Sequence, residues 1–152
     1  MEKTMSLPEA LTPEGVQNIS PFSAVILAAT LYGHSHQHLH STGPQERLED
    51  TSNGEFWKRY RSLDNILLNT FMFLPDHLRL PIGLRDMNVA FTHISIHASS
   101  ISLHQGAIAA ATKHNTGSDT VPHSHARSLT AAHEIADIMR QVSHVDPFNV
   151  SR

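Results

Sequence analysis

The segment at residues 56–81, FWKRYRSLDNILLNTFMFLPDHLRLP, constrains the fold most, because it combines a helical apolar pattern with clear ends. Apolar residues recur there every three or four positions, which places them on one face of an α-helix. They are Phe56, Tyr60, Leu63, Leu67, Phe71 and Leu74. Ser52 followed by Glu55 predicts a capping box before this helix, and Pro75 predicts its end. The polar side chains expected to face water are Lys58, Arg59, Arg61, Asp64, Asn65 and Asn69.

An earlier helix is predicted to begin at Ser20 and Pro21. Serine is a favoured N-cap, and proline suits the first helical position because no N–H is needed there. The apolar residues that follow lie over much of the circumference, so we expect a well-buried helix. They are Phe22, Val25, Ile26, Ala29 and Leu31. Gly33 marks where this helix weakens or ends, and a loop rich in Gly, Pro and Ser is predicted at residues 41–54.

Two more helices are predicted after residue 88. The first, at residues 89–113 with Asn88 as its cap, is apolar on two nearly opposite faces, so we expect it in the middle of the domain. One face carries Ile94, Ala98, Ile101 and Ile108, and the other carries Ile96, Leu103, Ala107 and Ala110. The last helix, at residues 124–144, follows a loop at residues 115–122. It is expected to bury Leu129, Ala132, Ala136 and Met139, with Ile135, Ile138 and Val142 beside them.

Composition excludes several classes of function. The 152 residues suit one domain, and the absence of cysteine excludes disulfides, thiolate zinc sites and cysteine nucleophiles. A net charge of −3 provides no basic footprint for nucleic acid. No stretch fits a signal peptide or a membrane span. Thirteen histidines would change the charge from −3 to +10 if all ionised (−3 + 13), so we expect lost compactness by pH 5.

Histidine pairs offer the alternative hypothesis of a small metal-binding helical protein. The run at residues 34–40 contains His34, His36, His38 and His40, which are spaced for chelation across one helical turn. His93 and His97 form a H-x-x-x-H pair without the adjacent Glu of a zinc protease, and His133 with Asp137 comes closer. A real metal site would raise stability in a metal titration, whereas a structural histidine set would not.

No motif in the sequence supports catalysis. Neither G-x-S-x-G, a P-loop nor G-x-G-x-x-G is present, and no third ligand completes a zinc set. We therefore expect no enzyme and assign no catalytic, cofactor-binding or metal-binding residue.

Four segments, in order along residues 21–148, resemble the regulatory, or middle homology, domain of fungal-specific transcription factors with a zinc binuclear cluster. They are SPFSAVILAATLYGHSHQHLH, FWKRYRSLDNILLNTFMFLPDHLRLP, VAFTHISIHASSISLHQGAIAAA and SLTAAHEIADIMRQVSHVDPF. The resemblance implies an all-α fold, an irregular bundle of about four to five helices within a larger helical domain. It divides the chain into a flexible lead-in at residues 1–19, the partial regulatory domain at 20–148 and a tail at 149–152.

The resemblance also implies regulation of RNA polymerase II-dependent transcription in the nucleus. It would act through small-effector contacts or through contacts with protein partners, other parts of a transcription factor or a second copy of the chain. Residues Phe56, Trp57, Leu67 and Phe71 would anchor the helical core. His93, His97 and His104 would belong to the structural pattern of their helix. The six-cysteine, two-zinc DNA-binding module of the family is missing, so zinc and DNA binding cannot be placed on residues of this chain. A fragment, a truncated gene product or a degenerate paralogue would fit this pattern.

Overall fold

The computed structural model describes residues 18–41, 43 and 46–145, and these residues form an all-α bundle of four helices without a strand. The helices are α1 at Pro21–His40, α2 at Glu55–Met72, α3 at Met87–His114 and α4 at Thr120–His144. Two short 3-10 turns, Asp76–Leu78 and Ile82–Arg85, connect α2 to α3. Most of the predicted lead-in, at residues 1–17, and the predicted tail lie outside the described residues. None of the described helices combines the length and hydropathy that a membrane crossing needs.

The long helix α3 lies in the middle of the bundle, as its two apolar faces predict. It packs along α1 and α4 and also contacts α2. Ile96, Leu103 and Ala107 are buried, whereas the opposite predicted face, including Ile94 and Ile101, is only half-buried. The two faces therefore differ in how completely their neighbours cover them.

Two details of α3 refine the prediction. Its N-cap is Asp86 rather than Asn88, because the Asp86 carboxylate accepts the Asn88 backbone N–H at 2.9 Å. Gly106 lies against Leu39 of α1, and any side chain at this position would overlap the Leu39 methyl group. A small residue is thus what allows α1 and α3 to approach closely here.

Helix α2 supplies the aromatic part of the core, and most of its predicted stripe is confirmed. Phe56, Tyr60 and Leu67 are buried, while Phe71 is 39% exposed and is not the core anchor that the pattern predicts. Trp57 is only 2% exposed, and its indole Nε1 donates a hydrogen bond to the Leu48 backbone oxygen at 2.8 Å. This bond fastens the preceding loop to the helix.

The predicted capping box before α2 is wrong. The helix begins at Glu55 with Gly54 as its N-cap, and no side chain caps it. Ser52 lies instead in the preceding turn, where its backbone N–H donates to the Asp50 carboxylate at 3.2 Å. A Cβ atom on Gly54 would lie 2.6 Å from two backbone oxygens, those of Arg47 and Asp50. The tight turn around Asp50 therefore sets the start of α2, and it requires glycine.

Helix α1 begins as predicted, because the Ser20 hydroxyl accepts the Ser23 backbone N–H at 3.1 Å. The predicted end at Gly33 is wrong, since the helix continues to His40. A single glycine costs a helix only about 1 kcal/mol, and the following turns pack on the core. The helix is also less buried than the sequence predicts, although Leu31 is buried as expected. Phe22 is 64% exposed and Ile26 is 53% exposed, so the helix turns one apolar face outward.

Helix α4 begins at Thr120, four residues before the predicted start. Its buried residues are Ser124, Ala131 and Ile138. The stripe predicted to be buried is exposed, with Leu129 at 60% and Met139 at 54%, and Ala132 and Ala136 exposed between them. We call Leu129, Ala132, Ala136 and Met139 the outer stripe. The helix is apolar on two sides, and periodicity alone does not indicate which side meets α3.

Candidate functional site

A cluster of polar side chains joins three helices inside the bundle. Its members are Tyr60 and Asp64 from α2, His104 from α3, and Ser124 and Arg127 from α4, and we call these five residues the polar cluster. Asp64 was expected to face water, and that prediction is wrong, because its side chain is only 17% exposed. The first turns of α4 bury no large apolar side chain, so the polar cluster attaches this part of the helix to α2 and α3.

His104 is the centre of the polar cluster and has no exposed surface. Its Nδ1 lies 3.0 Å from the Tyr60 hydroxyl and 3.2 Å from the Ser124 hydroxyl. Its Nε2 lies 3.4 Å from the Asp64 carboxylate, and Arg127 Nε lies at the same distance from this nitrogen. Both ring nitrogens therefore have partners, which satisfies a buried imidazole.

Arg127 and Asp64 form the charged part of the polar cluster. The Arg127 guanidinium donates to Asp64 Oδ1 at 2.9 Å. Burial acts to raise the pKa of Asp64, but the hydrogen bond with His104 and the charge of Arg127 outweigh it, so this pKa lies below its ordinary value. Burial raises the pKa of Tyr60, which keeps the phenol neutral. The cluster thus contains one ion pair, between Arg127 and Asp64, surrounded by hydrogen-bonding groups.

Three side chains of the cluster, those of Ser124, His104 and Asp64, are of the types found in a hydrolytic triad. Their geometry does not support that chemistry. A triad needs a serine hydroxyl that a substrate carbonyl can reach. Ser124 and His104 are both completely buried, and the Tyr60 hydroxyl lies closer to His104 Nδ1 than Ser124 does. In this arrangement the three groups hold helices together.

The ion pair should contribute measurably to stability. Replacing Arg127 with methionine leaves the Asp64 carboxylate partly buried without its cation, and we expect a loss of about 2 kcal/mol in the free energy of unfolding. Urea denaturation measures this loss. Arg140 is the matched control, because it pairs with Asp137 on the exposed side of the same helix. Its replacement should cost at most about 1 kcal/mol. Equal losses in the two variants would show that the polar cluster does not fasten α4.

A cleft of about 380 Å3 lies beside the polar cluster, between α2, α3 and α4. Apolar side chains cover its inner wall, notably Leu67, Ile96 and Ala131, all of which are buried. Phe71 lies along the cleft with the edge of its ring against His97, at a distance of 5.3 Å between ring centroids. Arg127 belongs to both the cluster and the cleft, so it connects the two.

The histidine run on α1 does not present its four rings to one side. His38 is buried, stacks on Phe56 with 4.4 Å between ring centroids, and accepts from Arg59 Nε at 3.4 Å. Burial, together with the charge of Arg59, lowers the pKa of His38 to about 4. Arg59 was expected to face water, but its guanidinium is held by both carboxylate oxygens of Glu46, at 2.8 and 2.9 Å. The other three rings of the run are exposed.

The remaining histidine candidates do not form a metal site either. His93 donates to the Leu78 backbone oxygen at 2.8 Å, which occupies its Nε2. His133 is exposed, and Asp137 pairs with Arg140. Within the described ranges, no group of three or more His, Asp or Glu side chains is placed to hold a metal ion.

Sequence reasoning missed the polar cluster, since its members are 20 to 64 residues apart where they bond to one another. A partial signal was present. Asp64 follows the buried Tyr60 by four positions and therefore lies on the same side of α2. The identity of its partners could not be obtained from helical periodicity.

Two known proteins are similar to this chain. They are the citrinin biosynthesis transcriptional activator mrl3 of Monascus ruber and the citrinin biosynthesis transcriptional activator ctnR of Monascus purpureus, each 26% identical over 144 residues, or 95% of this chain. The chain spans about a quarter of their length, 28% of mrl3 and 25% of ctnR. No family model and no solved structure match the chain. Over nearly all of its length, the chain is thus similar to part of two fungal transcriptional activators.

Proposed function

We propose that this chain is part of the regulatory domain of a fungal transcription factor and takes part in controlling RNA polymerase II-dependent transcription in the nucleus. The observation that carries this proposal is the similarity to two transcriptional activators, which extends over 95% of the chain. The all-α fold agrees with the regulatory domain that the sequence resembles. No catalytic role is included, because the polar cluster is closed to substrates.

The proposed mechanism is control by packing against other protein segments. Single exposed apolar residues are normal, but a continuous apolar face marks an interaction surface. The outer stripe of α4 is such a face, and Phe22 and Ile26 form a second one on α1. The chain covers only about a quarter of its relatives, so the remaining parts of such a protein are the natural partners.

DNA binding and zinc are assigned to a separate module in this proposal. The chain has no cysteine to hold a zinc cluster, and its net charge of −3 does not favour DNA. Its role would be to change the activity of a DNA-binding protein without touching DNA.

A reporter experiment tests this function. The chain is placed between a heterologous DNA-binding module and an activation segment in a fungal reporter strain, and a linker of equal length serves as reference. We expect reporter transcription to change severalfold at equal protein level. Replacing Leu129 and Met139 with glutamine should reverse the change, whereas replacing the exposed His133 with glutamine should not. Transcription equal to that of the linker reference would contradict the proposal.

A further inference from the structure

We propose that the cleft between α2, α3 and α4 is a binding site for an uncharged, ring-containing small molecule. This inference goes beyond the proposed function, because the cleft could bind such a ligand whether or not the chain regulates transcription.

The size and the walls of the cleft suit a small ligand. Its volume of about 380 Å3 lies within the range of roughly 300–1,000 Å3 that is typical of small-molecule sites. Three helices supply the walls, and the buried side chains of Leu67, Ile96 and Ala131 form the apolar floor. The Arg127–Asp64 ion pair fixes α4 against α2 at its edge. The cleft is therefore formed before any ligand arrives.

Polar groups without protein partners line this apolar cleft. His97, Ser100 and Thr130 face it, and within the described part of the chain none of their side chains makes a hydrogen bond to protein. Ser100 is only 8% exposed. Its neighbour Ser99 donates its hydroxyl to a backbone oxygen of the same helix at 2.7 Å, whereas the Ser100 hydroxyl makes no such bond. A few hydrogen-bonding groups on an apolar background are what orient a ligand in a pocket. These three groups can hold a hydroxyl or carbonyl oxygen.

The charges around the cleft favour a neutral ligand. Arg127 and Glu134 carry opposite charges, and Arg127 is already paired with Asp64. Burial, with a smaller contribution from His93, lowers the pKa of His97 to about 4, so its imidazole is neutral at pH 7. The rings of Phe71 and His97 lie together along one wall and offer an aromatic surface. A flat, uncharged molecule complements this lining better than a carboxylate or a phosphate.

The binding experiment uses 2-naphthol as the neutral probe and 2-naphthoate as the anionic one. Each is titrated at pH 7 into the full 152-residue chain labelled with 15N, and amide chemical shifts are followed by NMR. We expect saturable shifts at His97, Ser100 and Thr130 with 2-naphthol. We also expect at least about tenfold weaker binding of 2-naphthoate, which corresponds to about 1.4 kcal/mol.

Variants locate the site. Thr130→Trp fills the cleft from an exposed position and should weaken 2-naphthol binding at least about tenfold. Leu129→Gln is the matched control, since it changes the adjacent residue on the outer stripe and should leave binding unchanged. Ser100→Ala removes one hydroxyl without adding volume, and it should weaken 2-naphthol binding severalfold. This second variant tests the site if Thr130→Trp does not fold.

Several results would overturn the proposal. The absence of saturable shifts with 2-naphthol would do so, as would shifts centred on Leu129 and Met139. Undiminished binding by Thr130→Trp would show that the probe lies elsewhere. Tighter binding of 2-naphthoate would contradict the neutral ligand class.

Discussion

Replacement of Trp57 by alanine should lower the free energy of unfolding by about 3–5 kcal/mol. The indole is 2% exposed and lies edge-on to the neighbouring Phe56 and Tyr60 rings. Its removal leaves a cavity in the aromatic core and also deprives the Leu48 backbone oxygen of its donor. Small domains have total stabilities of about 5–15 kcal/mol, so this loss is a large share of the total stability.

Urea denaturation of the wild type and three variants separates the contributions at Trp57. Trp57→Phe keeps a ring but loses the indole donor, so we expect it to lower the free energy of unfolding by less than Trp57→Ala does. Phe22→Ala is the control, because Phe22 is 64% exposed and its loss should stay within about 0.5 kcal/mol. If Trp57→Ala cost no more than Phe22→Ala, α2 would not form the aromatic core.

Acidification from pH 7.5 to pH 5 should destabilise the fold. Burial holds the pKa values of His38 and His97 at about 4, and it also lowers the pKa of His93. An unfolded histidine takes up a proton near pH 6.5, whereas these folded ones resist protonation. Their stabilising contribution is therefore complete above pH 6.5 and is lost as the pH falls from 6.5 towards 4. Each of the two most shifted histidines should cost on the order of 1 kcal/mol by pH 5.

Thermal denaturation at pH 7.5, 6 and 5 measures this effect. We expect the midpoint to fall steadily below pH 6.5 in the wild type and to fall less in His97→Phe, which removes one titrating ring. Asp64 affects stability over a lower pH range. Because its folded pKa is depressed, its contribution is present above the unfolded value of about 3.9 and is lost as the pH falls further, through the folded value. An unchanged midpoint between pH 7.5 and 5 would rule out buried neutral histidines.

The central helices could be predicted from the sequence because their apolar patterns are strong. The stripe of α2 identifies Phe56, Tyr60 and Leu67 as core residues, and the two apolar faces of α3 place it in the middle. In both cases helical period and burial agree, since every apolar face meets at least one neighbour. The all-α class and the order of the helices follow from the same patterns.

The faces of the outer helices could not be predicted in this way. In α1 and α4 apolar residues lie on two sides, and only one side meets α3. Helical periodicity predicted burial for Leu129 and Met139 as readily as for Ile138, yet of these three residues only Ile138 is buried. The choice depends on which helices are present to cover each face, and that is not a local property. The exposure of the outer stripe is expected if other parts of a larger protein cover it.

The polar cluster and the cleft were beyond sequence reasoning for a related reason. In the sequence, Asp64 resembles any solvated carboxylate, because only the packing of α4 places Arg127 against it. The bond between these residues spans 63 positions in the chain. Long-range contacts of this kind follow from the packing of α2, α3 and α4, and the cleft exists only as the space between them.

Sequencing the full transcript around this reading frame is the most direct test of whether the chain belongs to a larger DNA-binding regulator. We expect the reading frame to extend upstream into a segment with six clustered cysteines and a basic linker, and to continue with further helical sequence beyond residue 152. A transcript that starts at Met1 and stops after Arg152 would contradict this assignment.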